Sequence, residues 1–178
     1  MHYDHIKYDD PSNFLLRGFC VFENANLISK FKEIEDYKIE DCNVLDCDNL
    51  EDYIPKKVLH VLKDVQNEIG IKYITKLFDN WIPTQVGMWD GVDDGSREWH
   101  NDKGEGDGVD CNFLFYFDDM SPEVGGALYV RGPHSQHKIY PKRDMLIWIN
   151  QSQQFYHKAD EATTQRRLAS FEYLLPKL

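Results

Sequence analysis

The sequence has no long apolar run. Nowhere do the roughly 18 or more consecutive apolar residues occur that a helix needs to cross a bilayer, so no segment reads as a membrane span. Positive charge is scarce as well. Lys and Arg number 20 against 31 Asp and Glu, a net charge of −11. A sequence-independent grip on nucleic acid relies on many cations facing phosphates, and basic pairs such as Lys142-Arg143 and Arg166-Arg167 are few. Nucleic acid is therefore not expected as a partner. Cysteine is sparse too: Cys20, Cys42, Cys47 and Cys111, with no CxxC spacing. Neither a disulfide framework nor a zinc site is indicated. The first residues, MHYDHIKYDDPSN, lack the apolar core of a secretion signal. Reduced thiols in a cytoplasmic protein are the expectation, as a monomer or weak dimer. Repeats and low-complexity tracts are also missing.

What is present divides by texture. A length of 178 residues suits one domain with a real core, read as a helical N-terminal layer over 1–80 and a β core over 81–175. Leu27 to Asp36 carries Leu27, Ile28, Phe31 and Ile34 at helical spacing behind two candidate caps, Asn24 and Asn26. Pro55 suits the first turn of a longer helix along Val58, Leu59, Val61, Leu62 and Val65, ended by Gly70. A further short helix is expected over 71–78, and the acidic stretch DCNVLDCDNLED between the first two helices reads as a solvated loop. From Trp81 onward, Gly, Pro and Asp punctuate short apolar runs. Strands are expected near 81–90, 97–102, 111–117, 126–131, 137–140, 144–149, 154–158 and 165–175, a count that suits a sandwich, jelly roll or barrel.

Within this β region lies EWHNDKGEGDG, with His100 and Asp102 two residues apart. On a strand, a period of two puts both side chains on one face, where they can share an ion. Alone, the pair reads more simply as a polar strand end beside a glycine-rich loop. Two His and one carboxylate on one triangular face suit non-haem Fe(II) oxygenases, so a third ligand is needed. His2 and His5 lie in the N-terminal tail and His60 on a helix, which leaves His157, His137 and His134 in that order. An oxygenase of this type binds 2-oxoglutarate, whose far carboxylate needs a buried cation, best a bidentate Arg. Arg166 lies nine residues after His157 and opens the apolar strand RRLASFEYLL. Arg143 lies nine after His134, but in the polar turn PKRD. A buried anion favours the first pairing.

With HND, GGALYVR, PKRDMLIWIN and FYHKADEATTQRRLASFEY together, the chain resembles the 2-oxoglutarate/Fe(II)-dependent dioxygenases, and within them the prolyl hydroxylase-like branch. The resemblance runs over about Trp81 to Tyr173. It implies a double-stranded β-helix, that is, a jelly-roll or cupin-like fold packed against helices. It places the catalytic metal triad on His100, Asp102 and His157. The 2-oxoglutarate contacts fall on Arg166, Tyr116, Leu128 and Ser170. Gly106-Asp107-Gly108 follows the His-x-Asp as in that branch, whereas Trp89 stands where a Tyr is usual. Fe(II), 2-oxoglutarate and O2 are the implied cofactors, with ascorbate as a candidate reductant. The implied reaction is hydroxylation of a C–H bond, favouring a prolyl residue in a protein or peptide, with release of succinate and CO2. A free amino acid or other small metabolite is the alternative substrate. A non-catalytic jelly-roll binding module and a cupin-like metalloenzyme that also uses His137 are the other classes.

Two ambiguities are chemical. Arg166 and Arg167 are adjacent, and a register error would exchange them. With Arg166 inward, Leu168, Ser170 and Glu172 share its face; with Arg167 inward, Ala169, Phe171 and Tyr173 do. Tyr116 likewise shares a face with Asn112, against Phe113, Phe115 and Phe117. A cosubstrate pocket needs the polar set, with the aromatic set packed beneath helices. The loops DGVDDGSRE and DKGEGDGVD, bordering the His-x-Asp strand, could attract a basic peptide, although solvated loops are the plainer reading. Trp89 and Trp99 are candidates for an apolar wall of the site or for core packing.

Overall fold

The computed structural model describes residues 8–37, 39–43, 55–91, 97–103 and 109–176. Among them are helices α1 (Ser12–Arg17), α2 (Ile28–Phe31) and α3 (Lys56–Lys72). The strands are β1 (Phe19–Phe22), β2 (Ile39–Asn43), β3 (Ile82–Asp90), β4 (Cys111–Tyr116), β5 (Leu128–Arg131), β6 (Gln136–Ile139), β7 (Leu146–Asn150), β8 (Tyr156–Ala159) and β9 (Arg167–Leu174). Six strands form one sheet in the order β1-β7-β4-β9-β3-β2, and three form a second in the order β6-β5-β8. Every pairing within them is antiparallel. The result is a jelly roll with helices against the larger sheet.

The alternation of side chains along the strands explains the layering. Phe113 and Phe115 on β4, and Phe171 and Tyr173 on β9, face away from the smaller sheet and join a cluster with Val58, Leu62, Val65 and Ile69 of α3. Those helix residues recur every three or four positions, which gives α3 one apolar stripe. Aromatic stacking tightens the layer: Phe31 lies 4.9 Å from Phe115, and Trp148 lies between Phe14 at 4.0 Å and Phe113 at 5.1 Å. Each ring buried this way contributes about 1.5–3 kcal/mol from desolvation. One polar pin crosses the layer. Gln66, almost fully buried, donates from Nε2 to the backbone carbonyls of Gln85 and Glu172, and its backbone carbonyl accepts from the Tyr173 hydroxyl. The opposite face of the larger sheet, with Leu114, Tyr116, Ile147 and Leu168, packs toward Leu128 and Val130 of the smaller sheet.

The N-terminal region departs from the expected helical layer. It also supplies β1 and β2, one at each edge of the larger sheet. The helix expected over 27–36 is a single α-helical turn followed by turns, and Asn24 and Asn26, the expected caps, take positive φ instead. The Asp144 carboxylate, instead of a local cap, accepts from the backbone of Asn26, Leu27 and Ile28. Gly70 does not end α3, which continues to Lys72 and is followed by a 3₁₀ turn over Ile74–Lys76. Gly70 is required for packing, since a Cβ there would collide with the Trp81 ring. Of DCNVLDCDNLED, Asp41 to Asn43 belong to β2; the rest lies outside the described residues. The strand expected over 97–102 is only an isolated bridge, His100 to His157.

Candidate active site

The bridge between His100 and His157 exchanges both backbone hydrogen bonds, at 3.0 and 2.9 Å. Directly opposed residues of such a pair send their side chains to the same face, and the two imidazole centroids lie 4.2 Å apart. Asp102 completes the group. One ligand atom from each of the three residues lies within 4.8 Å of the others. The His100 Nε2 is 3.5 Å from Asp102 Oδ1, and the His157 Nε2 is 3.5 Å from Asp102 Oδ2.

The surroundings orient these atoms. His100 Nδ1 lies 2.8 Å from the Glu98 carbonyl; it donates there, which leaves Nε2 as the lone-pair nitrogen. Burial pushes the His157 pKa down to about 4, with nearby His100 acting in the same direction and Asp102 against it. His157 is thus neutral at pH 7, the form that binds a metal. Its Nδ1 is buried without a hydrogen-bond partner. Asp102 Oδ2 accepts from Asn112 Nδ2 and Gln151 Nε2, each at 2.8 Å. The Gln151 Oε1 also accepts from the Asp102 backbone N–H at 3.0 Å. Between the ligands, Asn101 Nδ2 donates to the carbonyls of Gln151, Ser152 and Phe155. That amide ties the His-x-Asp segment to the loop leading into β8, and so compensates for the missing strand.

The triad opens onto a cavity of about 390 Å³ between the sheets. Arg166 enters it just before β9 and is nearly fully buried. Its guanidinium donates to the Gly91 carbonyl and the Tyr116 hydroxyl, both at 3.3 Å, and Nε has no partner. No carboxylate pairs with it among the described residues. Arg167 points the other way, onto Asp118 and Asp36. Leu128 and Ser170 line the cavity, as do Leu168 and Glu172 on the Arg166 face of β9. Tyr116 meets Arg166 through its hydroxyl; burial raises its pKa, against the pull of Arg166, so the phenol keeps its proton. The structure therefore brings His100, Asp102, His157, Arg166, Tyr116, Leu128 and Ser170 together. Trp89 lines the cavity. Trp99 does not: it stacks outside the smaller sheet, with the Arg131 guanidinium 4.5 Å and the Lys158 ammonium 5.5 Å from its ring.

The alternative histidines are elsewhere. His137 packs against Phe19 at 4.9 Å, His134 is exposed on a bend and His60 is exposed on α3. His2, His5 and Gly106-Asp107-Gly108 lie outside the described residues, as does most of each acidic loop. The supporting amides Gln151 and Asn101 were not distinguishable in sequence. Each is a polar residue in a polar stretch, and only the pairing of β8 with the His100 segment gives it a role.

No protein-family model and no curated protein matches the sequence. Solved structures do. A prolyl hydroxylase from Trichoplax adhaerens, in complex with a hypoxia inducible factor oxygen degradation domain peptide fragment, superposes with a TM-score of 0.62 at 14% identity, covering 94% of this chain and 88% of that one. The chain has the fold of the 2-oxoglutarate/Fe(II) oxygenases. HygX from Streptomyces hygroscopicus, with nickel and 2-oxoglutarate bound, matches with a TM-score of 0.61 at 15% identity over 98% of this chain and 88% of that one. SnoN, a non-haem α-ketoglutarate-dependent epimerase from nogalamycin biosynthesis, reaches 0.67 at 9% identity over 92% and 80%. At these identities the likeness is one of oxygenase fold, while the chemistry of the site is read from this chain's own residues.

Proposed function

We propose that the chain is a non-haem Fe(II)- and 2-oxoglutarate-dependent dioxygenase that hydroxylates a C–H bond with release of succinate and CO2. The observation that carries this is a buried guanidinium that no carboxylate among the described residues pairs with, in the same cavity as a two-His, one-carboxylate cluster. An unpaired buried charge is costly, and an anionic ligand removes that cost. The donor set fits ferrous iron: two imidazole nitrogens and one carboxylate, with positions left for a bidentate cosubstrate. Iron and 2-oxoglutarate, when bound, supply the O2 activation.

The residues divide the remaining work. His100 and His157 present their Nε2 nitrogens, that of His157 kept neutral by burial. Asn112 and Gln151 hold Asp102 by one oxygen and leave the other for the metal. Arg166, braced by Tyr116, receives the far carboxylate of 2-oxoglutarate, with Ser170 on the same wall. Leu114, Leu128 and Leu168 exclude water around it. A prolyl residue of a protein or peptide is the favoured substrate, supported by the sequence motifs and by the fold shared with a peptide-bound prolyl hydroxylase. The fold shared with HygX and SnoN keeps a small-molecule substrate as the second reading.

The test is the visible spectrum of anaerobic protein on adding Fe(II) and then 2-oxoglutarate. A charge-transfer band that needs both additions and vanishes in His157→Ala is expected. Iron binding without that band refutes the 2-oxoglutarate reading, and no iron binding refutes the metal site. Succinate release on adding prolyl peptides then tests the substrate.

A further inference from the structure

The outer face of the smaller sheet takes no part in the site described above. Leu128, Val130 and Ile139 turn inward and His157 faces the cavity. Alternation therefore sends Tyr129 and Arg131 of β5, Lys138 of β6, and Tyr156 and Lys158 of β8 outward. The register sets Tyr129 between Lys138 and Lys158, and Arg131 opposite Tyr156. Each cation rests on two rings. Lys138 lies 5.1 Å from Tyr129 and 4.9 Å from Tyr140, and Lys158 lies 5.2 Å from Tyr129 and 5.5 Å from Trp99. Arg131 lies 4.5 Å from Trp99 and 5.1 Å from Tyr156.

Among the described residues, no carboxylate pairs with Arg131, Lys138 or Lys158. Asp160 borders the face, but its carboxylate accepts from the Tyr129 hydroxyl at 2.7 Å. A chain of net charge −11 thus gathers three unpaired cations on one surface. The rings attract the charged heads and leave N–H donors for a further partner. They also restrict side chains that would otherwise lose freedom on binding. Because the rings carry cations, the face favours carboxylates over stacked bases. Spacing points the same way. Lys138 and Lys158 stand on strands either side of β5, about 9–10 Å apart at the backbone, and Arg131 lies about 7 Å along β5 from Tyr129. An extended chain advances about 7 Å in two residues and about 10 Å in three, so acidic side chains at those intervals reach all three heads.

We propose that this face docks an extended acidic segment of a partner protein, its carboxylates paired with Arg131, Lys138 and Lys158. Trp99 precedes His100 and Lys158 follows His157, so the docked segment lies against the outside of the elements that carry both imidazoles. Docking needs neither iron nor 2-oxoglutarate. Its failure leaves the oxygenase reading untouched, and the converse holds.

The experiment measures fluorescence anisotropy of a dye-labelled hexapeptide alternating Glu and Ser, beside its Gln and Ser counterpart, on titration with metal-free protein. The acidic peptide is expected to bind about tenfold more tightly, since three exposed ion pairs each add a modest increment. The preference disappears between about 0.01 M and about 1 M salt, as the screening length falls from about 30 Å to about 3 Å. It is lost in Arg131→Gln/Lys138→Gln/Lys158→Gln and kept in Lys32→Gln/Lys57→Gln/Lys63→Gln, which removes the same charge elsewhere. Equal binding of the two peptides by wild type overturns the proposal whether or not the variants fold, and so does equal loss in both triple variants. Tighter binding of a labelled thymidine hexanucleotide than of the acidic peptide assigns the face to nucleic acid instead. A wild-type dimer in sedimentation that the first triple variant abolishes assigns it to a second copy of this chain, and either result overturns the proposal.

Discussion

Replacing Gln151 by Leu tests whether the amides behind Asp102 set metal affinity. Gln151 is fully buried and makes two contacts with one residue, donating to Asp102 Oδ2 and accepting from the Asp102 N–H. Leu has similar bulk and neither group. The variant therefore orphans a backbone N–H and leaves Oδ2 with Asn112 as its remaining amide donor. A hydrogen bond to a charged group is worth about 1.5–3 kcal/mol, which sets the scale for metal-free stability. The larger effect is on the ion. An Asp102 carboxylate free to rotate no longer points one oxygen at the gap between His100 and His157, and losing an outer partner of a ligand weakens metal binding about 10–100-fold. Anaerobic Fe(II) titration by calorimetry, beside urea unfolding of the metal-free protein, separates the two. Reduced stability with unchanged iron affinity would refute the reasoning and leave Gln151 a packing residue.

Two arginines one residue apart are expected to behave in opposite ways. Arg166→Ala weakens 2-oxoglutarate binding by about 100-fold, because a buried guanidinium is lost; unchanged affinity sinks the assignment. Arg167→Ala leaves that affinity alone and lowers folding stability by about 1–3 kcal/mol through its bonds to Asp118 and Asp36. The metal-free protein should also lose stability as pH falls from about 6.5 to about 4. Burial holds His157 neutral down to about 4, so over that window the unfolded chain binds the extra proton and unfolding is favoured. Urea midpoints measured across the window in wild type and His157→Gln check this, and an equal slope in both would contradict it.

Much of the architecture was legible because strand alternation is a local property. The split into Arg166, Leu168, Ser170 and Glu172 against Arg167, Ala169, Phe171 and Tyr173 follows from the period of two; the parity left both arginines open, and the chemistry of a cosubstrate pocket, which needs the polar set, put Arg166 on the cavity side. The His100, Asp102 and His157 set was likewise readable from spacing, residue type and resemblance. Chemistry with few choices leaves a mark in sequence.

The N-terminal region shows the limit. Phe19–Phe22 and Ile39–Asn43 join opposite edges of one sheet, and edge pairing depends on which strands are left with open hydrogen bonds after the rest has folded. Asp144 capping residues 26–28 is a contact across more than a hundred positions, invisible to any local rule. So are Gln151 and Asn101, whose amides matter because β8 brings the 151–155 loop beside the His-x-Asp segment. The sequence by itself determined the alternating faces, the apolar stripe of α3 and the donor atoms that the candidate residues offer, since these follow from covalent spacing and side-chain chemistry. Only the tertiary structure decided which backbone and amide groups hold those atoms in place, because hydrogen-bond partners distant in the chain are chosen by packing.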